Sequence, residues 1–251
     1  MNISKTERRH NIMSNKTNEK AVILSSGGVD STTCVGIAVE RFGKENGCTV
    51  SVFYNQKHSK ELECAQKVAN HYGVDHTVID LSGTHIFDYS ECPLLKGSNK
   101  DIRHESYADQ IAKDGEGMVE TYVPFRNGLM LSSVAAFAVS KYPDSIVHIY
   151  LGAHADDAAG SAYADCSREF TDAMYEAISI GTYDKVKVEA PLVNMNKSEV
   201  VKTGLDLNVP YSLTWSCYEG GDVQCGTCGT CIDRKNAFRA NGVEDPVPYK
   251  E

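Results

Sequence analysis

The sequence predicts an α/β protein, a parallel sheet with helices on both faces, followed by a four-cysteine segment near the C-terminus. Three observations support this fold class. Short apolar or β-branched runs alternate with stretches of helical periodicity, which is typical of βαβ units and a parallel sheet. A glycine turn follows the first apolar run, and four cysteines lie between residues 217 and 231.

The first third of the chain contains three runs of apolar, β-branched or aromatic residues. These predict strands at 21–24, 49–54 and 76–81. Helices are predicted after the first two strands, at 32–42 and 59–72, because apolar residues recur there on one helical face. Ser59 is the expected N-cap of the second helix.

The second half continues the alternation. It predicts, in order, a helix at 128–142, a strand at 146–151, a helix at 167–180, a strand at 186–190 and a helix at 197–207. The segment 82–123 before them is long and turn-rich. Long loops inside compact domains are commonly functional, so we interpret this segment as a lid.

Three regions follow from this pattern. Residues 1–19 are polar with almost no apolar periodicity, which predicts a disordered tail. Residues 20–212 would form the α/β domain that includes the lid. Residues 213–251 contain the cysteine cluster and would form a metal-binding segment.

Charge and composition narrow the class of function. The net charge is −9, and no Lys/Arg-rich run follows Arg8 and Arg9, so a small-molecule substrate is expected rather than direct binding to nucleic acid. No secretory signal and no apolar run long enough to span a membrane is evident, which predicts a cytoplasmic protein. In that reducing compartment, nine cysteines do not indicate a disulfide framework.

The string Ser-Ser-Gly-Gly-Val-Asp-Ser-Thr at 25–32 lies between a predicted strand and a predicted helix. Its glycines allow a tight turn, and the helix N-terminus supplies N–H groups that attract an anion. Asp30 can hold magnesium beside phosphates. The string matches neither the Walker nor the Rossmann pattern. It predicts a phosphate-binding loop, and the alternative is a Gly-Gly turn capped by Asp30 and Ser31.

The four C-terminal cysteines are spaced C-x7-C-x2-C-x2-C. Four thiolates fill a tetrahedral zinc site and leave no position for water, so the spacing predicts structural zinc bound by Cys217, Cys225, Cys228 and Cys231. An iron–sulfur cluster also takes four cysteines and remains an alternative. Unligated thiols or a redox pair are a second alternative.

The string at 26–31 resembles the pyrophosphate-binding loop of the PP-loop ATP pyrophosphatase superfamily, whose fold is similar to that of adenine nucleotide alpha hydrolases. Together with the cysteines, the strings at 53–58, 122–127 and 214–218 look like the 7-cyano-7-deazaguanine synthase family of queuosine biosynthesis, a tRNA modification pathway. The resemblance runs from about residue 20 to residue 248.

The resemblance implies roles for the matching positions. ATP would contact Ser25, Ser26, Gly27, Gly28, Val29, Asp30, Ser31, Thr32, Thr33, Cys34, Val35, Gln56 and His58. The substrate would contact Arg126, Asn127, Asp157 and Asp165. Asp30 and Arg126 would be catalytic, Asp30 through magnesium and Arg126 by pairing with a carboxylate or phosphate. The alternatives are a polar surface turn for Gln56 and His58, a structural ion pair for Arg126, and helix capping for Asp157 and Asp165.

The resemblance also implies the reaction. An ATP-dependent carbon–nitrogen ligase would convert 7-carboxy-7-deazaguanine and ammonia to 7-cyano-7-deazaguanine through an amide. No glutaminase domain is evident, so free ammonia is the expected nitrogen source, and members of this family are commonly homodimers. The sequence identifies no general base, and cleavage of ATP to AMP or to ADP stays open.

The chain departs from the family at one string. The usual Tyr-Pro-Asp-Cys-Arg is here Tyr163-Ala164-Asp165-Cys166-Ser167, with Arg168 one position later. Either Arg168 replaces the family's arginine through a shifted backbone, or that contact is lost.

Two other functions are compatible with parts of the sequence. A tRNA thiolase of the same superfamily would need a basic surface and a cysteine free to carry sulfur, and both the acidic charge and the fully used quartet count against it. A zinc-organised nucleotide-binding regulator would show no turnover. ATP consumption that depends on the deazapurine acid distinguishes these readings.

Overall fold

A computed structural model describes residues 18–250. Its strands are β1 Glu19–Leu24, β2 Gly47–Phe53, β3 Asp75–Asp80, β4 Ile146–Tyr150 and β5 Val186–Glu189. Its helices are α1 Val29–Phe42, α2 Lys60–Tyr72, α3 Tyr107–Asp114, α4 Arg126–Lys141, α5 Ala155–Ala158, α6 Arg168–Gly181, α7 Lys197–Asp206 and α8 Gly229–Ala240. Every predicted strand and helix is present, whereas α3, α5 and α8 were not predicted.

The five strands form one parallel sheet in the order β3-β2-β1-β4-β5. The chain moves outward from β1 to β3 and then returns to the other side of β1 with β4. The carboxyl ends of β1 and β4 therefore lie at a topological switch point, where open α/β sheets bind their ligands.

Helices cover both faces of the sheet, as predicted. The alternation of side chains along β1 shows this: Val22 and Leu24 belong to one core cluster, and Ala21 and Ile23 to the other. The first cluster includes buried residues of α4 and α6, and the second includes buried residues of α1, α7 and α8.

The start of the folded chain differs slightly from the prediction. Residues 1–17, most of the predicted tail, lie outside the described residues. Strand β1 begins at Glu19, which pairs with Ile146 of β4, so the last residue assigned to the tail belongs to the sheet. A backbone ladder does not require an apolar side chain, and for that reason the apolar pattern placed the boundary too late.

The segment 82–123 is folded against the domain. It buries Leu95, Ile102 and Val123 in the same core cluster as Val22. Its helix α3 is capped by Ser106, whose hydroxyl accepts a hydrogen bond from the backbone N–H of Asp109 at 3.1 Å. That a lid opens here stays a prediction.

Two helix starts differ in how they are capped. Ser59 directly precedes α2, as expected, but its side chain makes no capping hydrogen bond. Helix α7 begins with a capping box, in which Asn196 and Glu199 each bond the other's backbone N–H. This box fixes the first residue of α7, Lys197, at the edge of the sheet.

Within residues 18–250, no helix has the length and apolar character needed to cross a membrane.

Candidate active site

A cavity of about 220 Å³ lies at the carboxyl ends of β1, β2 and β4. The phosphate loop and α1 form one wall, and the residues after β4 form another. Arg126 and Asn127 at the start of α4 line it too, and segment 82–123 contributes Tyr107 and Thr121. Trp215 and neighbouring residues of the cysteine segment complete the wall. The phosphate loop, segment 82–123 and the cysteine segment thus all contribute to the wall of one cavity.

The phosphate loop is held by close backbone packing. Gly27 has a φ of +78°, and a Cβ there would come within 2.3 Å of the Glu61 carbonyl oxygen, so no side chain fits. The Ser31 hydroxyl accepts a hydrogen bond from the backbone N–H of Ser26 at 3.2 Å. The Gly27 carbonyl accepts one from the backbone N–H of Trp215 at 2.9 Å. These contacts join the loop to α2 and to the cysteine segment.

The predicted ATP contacts divide into two groups. Those lining the cavity are Ser25, Ser26, Gly28, Val29, Asp30, Ser31 and Gln56. Those outside its lining are Gly27, Thr32, Thr33, Cys34, Val35 and His58. Cys34 and Val35 lie on the core-facing side of α1 and are fully buried. The Thr33 hydroxyl bonds to the Val29 carbonyl and to Tyr211. A direct role for the second group stays a prediction.

Gln56 is tied to the end of β2. Its Oε1 accepts a hydrogen bond from the backbone N–H of Tyr54 at 2.9 Å, and its Nε2 donates to the Val52 carbonyl at 3.4 Å. The His58 ring packs close to Gly220, and its buried Nδ1 has no hydrogen-bond partner among the described residues. Local hydrogen bonds therefore fix Gln56, whereas His58 is held by packing.

A cluster of charged residues lies beside the loop. The Lys197 ammonium donates to both carboxylate oxygens of Asp30 at 2.7 Å, and its Nζ lies 3.2 Å from His154 Nε2. That nitrogen is also 3.3 Å from Asp157 Oδ1. Asp233 lines the same side of the cavity. Three carboxylates and a lysine therefore converge where phosphates are expected.

The pKa values in this cluster follow from burial and charge. Burial would raise the pKa of Asp30, but Lys197 and His154 hold it below its ordinary value. Burial raises the pKa of Asp157, and Lys197 and His154 offset this only in part. Burial likewise raises the pKa of Asp233 to about 6. Asp30 is thus the firmly ionised member, the form that a magnesium ion or a cation needs.

Arg126 presents its guanidinium to the cavity. Its Nη1 donates to the Tyr54 hydroxyl at 3.3 Å. No carboxylate of the described residues lies within ion-pair distance of it, which argues against a structural ion pair for Arg126. A partly buried guanidinium without an anionic partner is suited to bind a carboxylate or phosphate.

Asn127 and Asp165 bind each other. The backbone N–H of Asn127 donates to Asp165 Oδ2, and its side-chain amide donates to the Asp165 carbonyl, both at 2.9 Å. Asp165 is buried and caps the start of α4. It does not line the cavity, whereas Asn127 and Asp157 do. Helix capping therefore accounts for the observed contacts of Asp165, and substrate contact stays a prediction.

The departure near Ala164 has a clear geometry. Ser167 caps α6 by accepting from the Phe170 backbone N–H at 3.1 Å. Arg168 donates to the carboxylate of Asp172 at 2.8 Å on the surface of that helix. Arg168 is not part of the cavity lining, so this structure does not place it where the family's arginine would contact a ligand.

Three tyrosines connect the walls of the cavity. Tyr163 donates to the Tyr107 hydroxyl at 3.1 Å, and Tyr107 donates to the Tyr218 hydroxyl at 3.0 Å. Thr121 bonds to Tyr163 at the other end. The network therefore joins segment 82–123 to the cysteine segment across the cavity.

The four predicted metal ligands converge. Their sulfur atoms all lie within 4.8 Å of one another, and each cysteine is buried: Cys217, Cys225, Cys228 and Cys231. Cys225 Sγ lies 3.9 Å from Cys231 Sγ, close to the edge of about 3.8 Å expected for a tetrahedron with Zn–S bonds of about 2.3 Å. Backbone N–H groups of Cys225 and Cys228 donate to sulfur at 3.3 Å, as suits thiolates. The cluster therefore fits a tetrahedral metal ion.

Sequence reasoning missed Lys197, His154, Glu61 and Asp233, which all line the cavity. One signal was available for His154 and another for Lys197. His154 lies in the short stretch that follows β4, at the carboxyl edge of the predicted sheet. Asn196 and Glu199 form a capping-box pattern that marks Lys197 as the first residue of a helix.

The sequence is similar to known proteins over almost its whole length. A family model described as "Queuosine biosynthesis protein QueC" matches residues 20–242. A 7-cyano-7-deazaguanine synthase from Caldicellulosiruptor saccharolyticus is 42% identical over 231 residues, covering 92% of this chain and 96% of that protein. Proteins of the same name from Archaeoglobus fulgidus and Psychromonas ingrahamii are 40% and 36% identical, covering 91% and 93% of this chain and 89% and 99% of their own.

Among solved structures, an NMN synthetase from Francisella tularensis is 15% identical and aligns with a TM-score of 0.47, covering 97% of this chain and 88% of that one. The family match and the curated relatives are decisive, because they extend over nearly all of the described chain. The chain belongs to the QueC family of queuosine biosynthesis proteins, and it is an enzyme of the synthase type found among these relatives.

Proposed function

We propose that the chain is an ATP-dependent carbon–nitrogen ligase that converts 7-carboxy-7-deazaguanine and ammonia to 7-cyano-7-deazaguanine. One observation carries the proposal: the phosphate loop and the Arg126 guanidinium line the same cavity. A nucleotide phosphate and a substrate carboxylate bound by these two groups would lie next to each other, as transfer between them requires.

The chemistry explains why ATP is needed. A carboxylate does not react with ammonia at neutral pH because its oxygen is a poor leaving group. Transfer of a phosphorus group from ATP turns that oxygen into a leaving group, and ammonia then forms the amide. Dehydration of the amide to the nitrile requires the remaining oxygen to be activated in the same way. A single site can serve both halves, because each places a carbonyl oxygen against an ATP phosphorus.

The side chains that line the cavity have properties that fit particular roles in substrate binding and catalysis. Arg126 would hold the carboxylate and orient it toward the loop. Asp30, ionised beside Lys197, would position the magnesium that accompanies ATP, and Lys197 would neutralise phosphate charge. Asp157 would accept N–H groups from the guanine-like edge of the substrate.

The cysteine cluster would hold zinc in a structural role. Four cysteines occupy all positions of a tetrahedral ion, so the metal would order the segment rather than bind substrate. That segment supplies Trp215 and Tyr218 to the cavity wall. Metal binding would therefore support the site indirectly, through the position of these two side chains.

Product analysis tests the proposal. Purified protein with ATP, ammonium and the carboxylic acid is expected to yield the nitrile by mass spectrometry, with two nucleotides consumed per nitrile. The synthetic amide without ammonium is expected to be converted with one nucleotide. An inert amide, or a ratio of one nucleotide per nitrile from the acid, would contradict the shared-site scheme. Absence of any nitrile from the acid would refute the function itself.

A further inference from the structure

Glu61 occupies a position in the cavity that no other part of the proposal uses. It is the second residue of α2 and lines the cavity together with the phosphate loop and Arg126. The Glu61 backbone lies directly against the loop, since its carbonyl oxygen would be 2.3 Å from a Cβ on Gly27. This packing fixes where α2 presents the carboxylate relative to bound phosphates.

The Glu61 carboxylate has no structural partner in the part of the chain that the structure describes. Neither a hydrogen bond nor an ion pair involves it within residues 18–250. Its neighbour Glu63 differs, because Glu63 is half-exposed and pairs with Lys60 at 3.6 Å. A partly buried carboxylate facing a cavity without a partner is costly to the fold, and such groups are common at functional sites.

The groups that face Glu61 come from three elements. Arg126 faces it from the start of α4, Tyr54 from the end of β2, and Cys64 from its own helix. Burial raises the pKa of Glu61 to about 7, and the charge of Arg126 opposes this rise only in part. Burial also raises the pKa values of Tyr54 and Cys64, so both are uncharged at neutral pH. Glu61 can therefore gain and lose a proton near neutrality.

Resting on the function proposed above, we infer that Glu61 is the general base of the reaction and takes protons from the nitrogen in both halves. Glu61, the phosphate loop and Arg126 line one cavity, so a carbon bound there between loop and guanidinium would be within reach of the Glu61 carboxylate. The base that the sequence could not identify is thus assigned to a residue on α2.

In the first half, the Glu61 carboxylate takes one proton from an ammonium ion. The lone pair of the resulting ammonia bonds to the activated carbonyl carbon, the bond from that carbon to the phosphorus-bearing oxygen breaks, and a second N–H proton leaves to solvent. Glu61 then releases its proton to solvent, which restores the carboxylate. In the second half, the activated amide loses one N–H proton to Glu61 and one to solvent. The remaining carbon–oxygen bond breaks at the same time, which leaves the nitrile.

The test compares Glu61→Gln with Glu61→Asp and with the matched control Glu63→Gln. With ammonium as nucleophile, kcat/KM of the wild type is expected to rise as pH increases through about 7. Glu61→Gln is expected to lose about 100-fold or more of the rate at pH 7, and its residual rate should follow only the fraction of free ammonia, which increases steadily with pH and shows no inflection near 7. Glu61→Asp should retain part of the rate and of the inflection, and Glu63→Gln should match the wild type.

The reaction with hydroxylamine distinguishes a general base from a residue that only supports the fold. Hydroxylamine is already uncharged at neutral pH, so it need not lose a proton before it attacks the activated acid. Glu61→Gln is therefore expected to form the hydroxamate at a rate within a few-fold of the wild type. Equal loss with ammonium and hydroxylamine would place Glu61 in binding or activation and overturn the assignment.

Thermal stability completes the test. Glu61 has a folded-state pKa above its ordinary value of 4.5, so its ionisation destabilises the fold as pH rises from about 4.5 through about 7. At pH values above that window, Glu61→Gln is expected to melt at or above the wild-type Tm, and a lower Tm would show a structural role. A wild type that makes no nitrile would refute the proposed function, whereas an active wild type with an equally active Glu61→Gln would refute only this assignment.

Discussion

The phosphate loop and the cysteine segment are both loops beside the same cavity, but they are held in different ways. The loop follows a strand that is almost completely buried, and its next helix continues into the core. The cysteine segment, residues 213–250, contains one helix of moderate length, α8, and much irregular chain. Hydrophobic packing specifies the first region, whereas in the second the packing of α8 is accompanied by four converging sulfur atoms.

This difference has an energetic consequence. The loop follows a central strand, so the packing of the sheet holds its backbone in place. One side chain of the loop can therefore be substituted without displacing that backbone. In the cysteine segment, a metal bound by the four cysteines would make them act as a unit. Structural zinc in small modules contributes an apparent free energy of roughly 10 kcal/mol or more. We therefore expect side-chain substitutions to act locally in the loop and globally in the segment.

The largest effect is expected for Cys228→Ser. Cys228 is fully buried and lies immediately before α8, so loss of its thiolate removes a ligand and frees the helix start. The wild type is expected to carry zinc at one atom per chain, and the variant is expected to lose it together with soluble yield or Tm. Elemental analysis and thermal melting measure both.

Cys92→Ala is the control for that experiment, because Cys92 is also buried but lies far from the cluster in sequence. It should keep the metal. A purified, active wild type free of metal would contradict the prediction, and iron with a coloured chromophore would favour an iron–sulfur cluster instead.

Asp30→Asn is expected to have the next largest effect, and a local one. Removing the charge weakens magnesium and phosphate positioning, so ATP turnover should fall by about 100-fold or more while the chain still folds. Some stability is lost, since Lys197 keeps its charge but loses its partner at 2.7 Å. The pKa of Asp30 is held below 3.8, so the stability that its charge contributes is present above that value and is lost as pH falls through the lower folded pKa.

Asp206→Asn is the matched control for Asp30. Asp206 pairs with Lys202 at 2.9 Å, but both side chains are exposed, so little stability is expected to change. Turnover measurements and pH-dependent melting of the two variants compare the pairs directly. Wild-type turnover in Asp30→Asn would show that Asp30 serves only the fold.

The smallest effect is expected for Tyr107→Phe, which removes the hydroxyl between Tyr163 and Tyr218. The loss should cost about 1 kcal/mol of stability and should raise KM more than it lowers kcat, because segment 82–123 would close less firmly over the cavity. Tyr89→Phe is the control in the same segment, since Tyr89 is 98% exposed. Equal steady-state constants for both variants would show that the network does not hold the segment.

Periodicity predicted most of the fold, because strands buried in a parallel sheet and helices with one apolar face leave clear patterns. It missed α8, whose apolar residues are few and whose register is tied to the spacing of Cys228 and Cys231. It also missed α3, although Ser106 and Asp109 form a capping signature.

Two parts of the candidate site were predictable, the phosphate loop and the cysteine quartet. Each is a short continuous string whose residue types and spacing indicate its ligand. Lys197 and His154 come from elements distant in sequence from Asp30, and they meet it only because β4 returns to lie beside β1. Strand order is a property of the whole chain, so no local pattern could have placed these three side chains together.

The hydrogen bond from the Trp215 backbone N–H to the Gly27 carbonyl joins the two regions through main-chain atoms alone. Alanine scanning leaves both of these groups in place, so it cannot delete this link. Only an imino acid at position 215 would remove the donor. Mutational maps built from side-chain replacements would thus record the phosphate loop and the cysteine segment as independent, although they are physically connected.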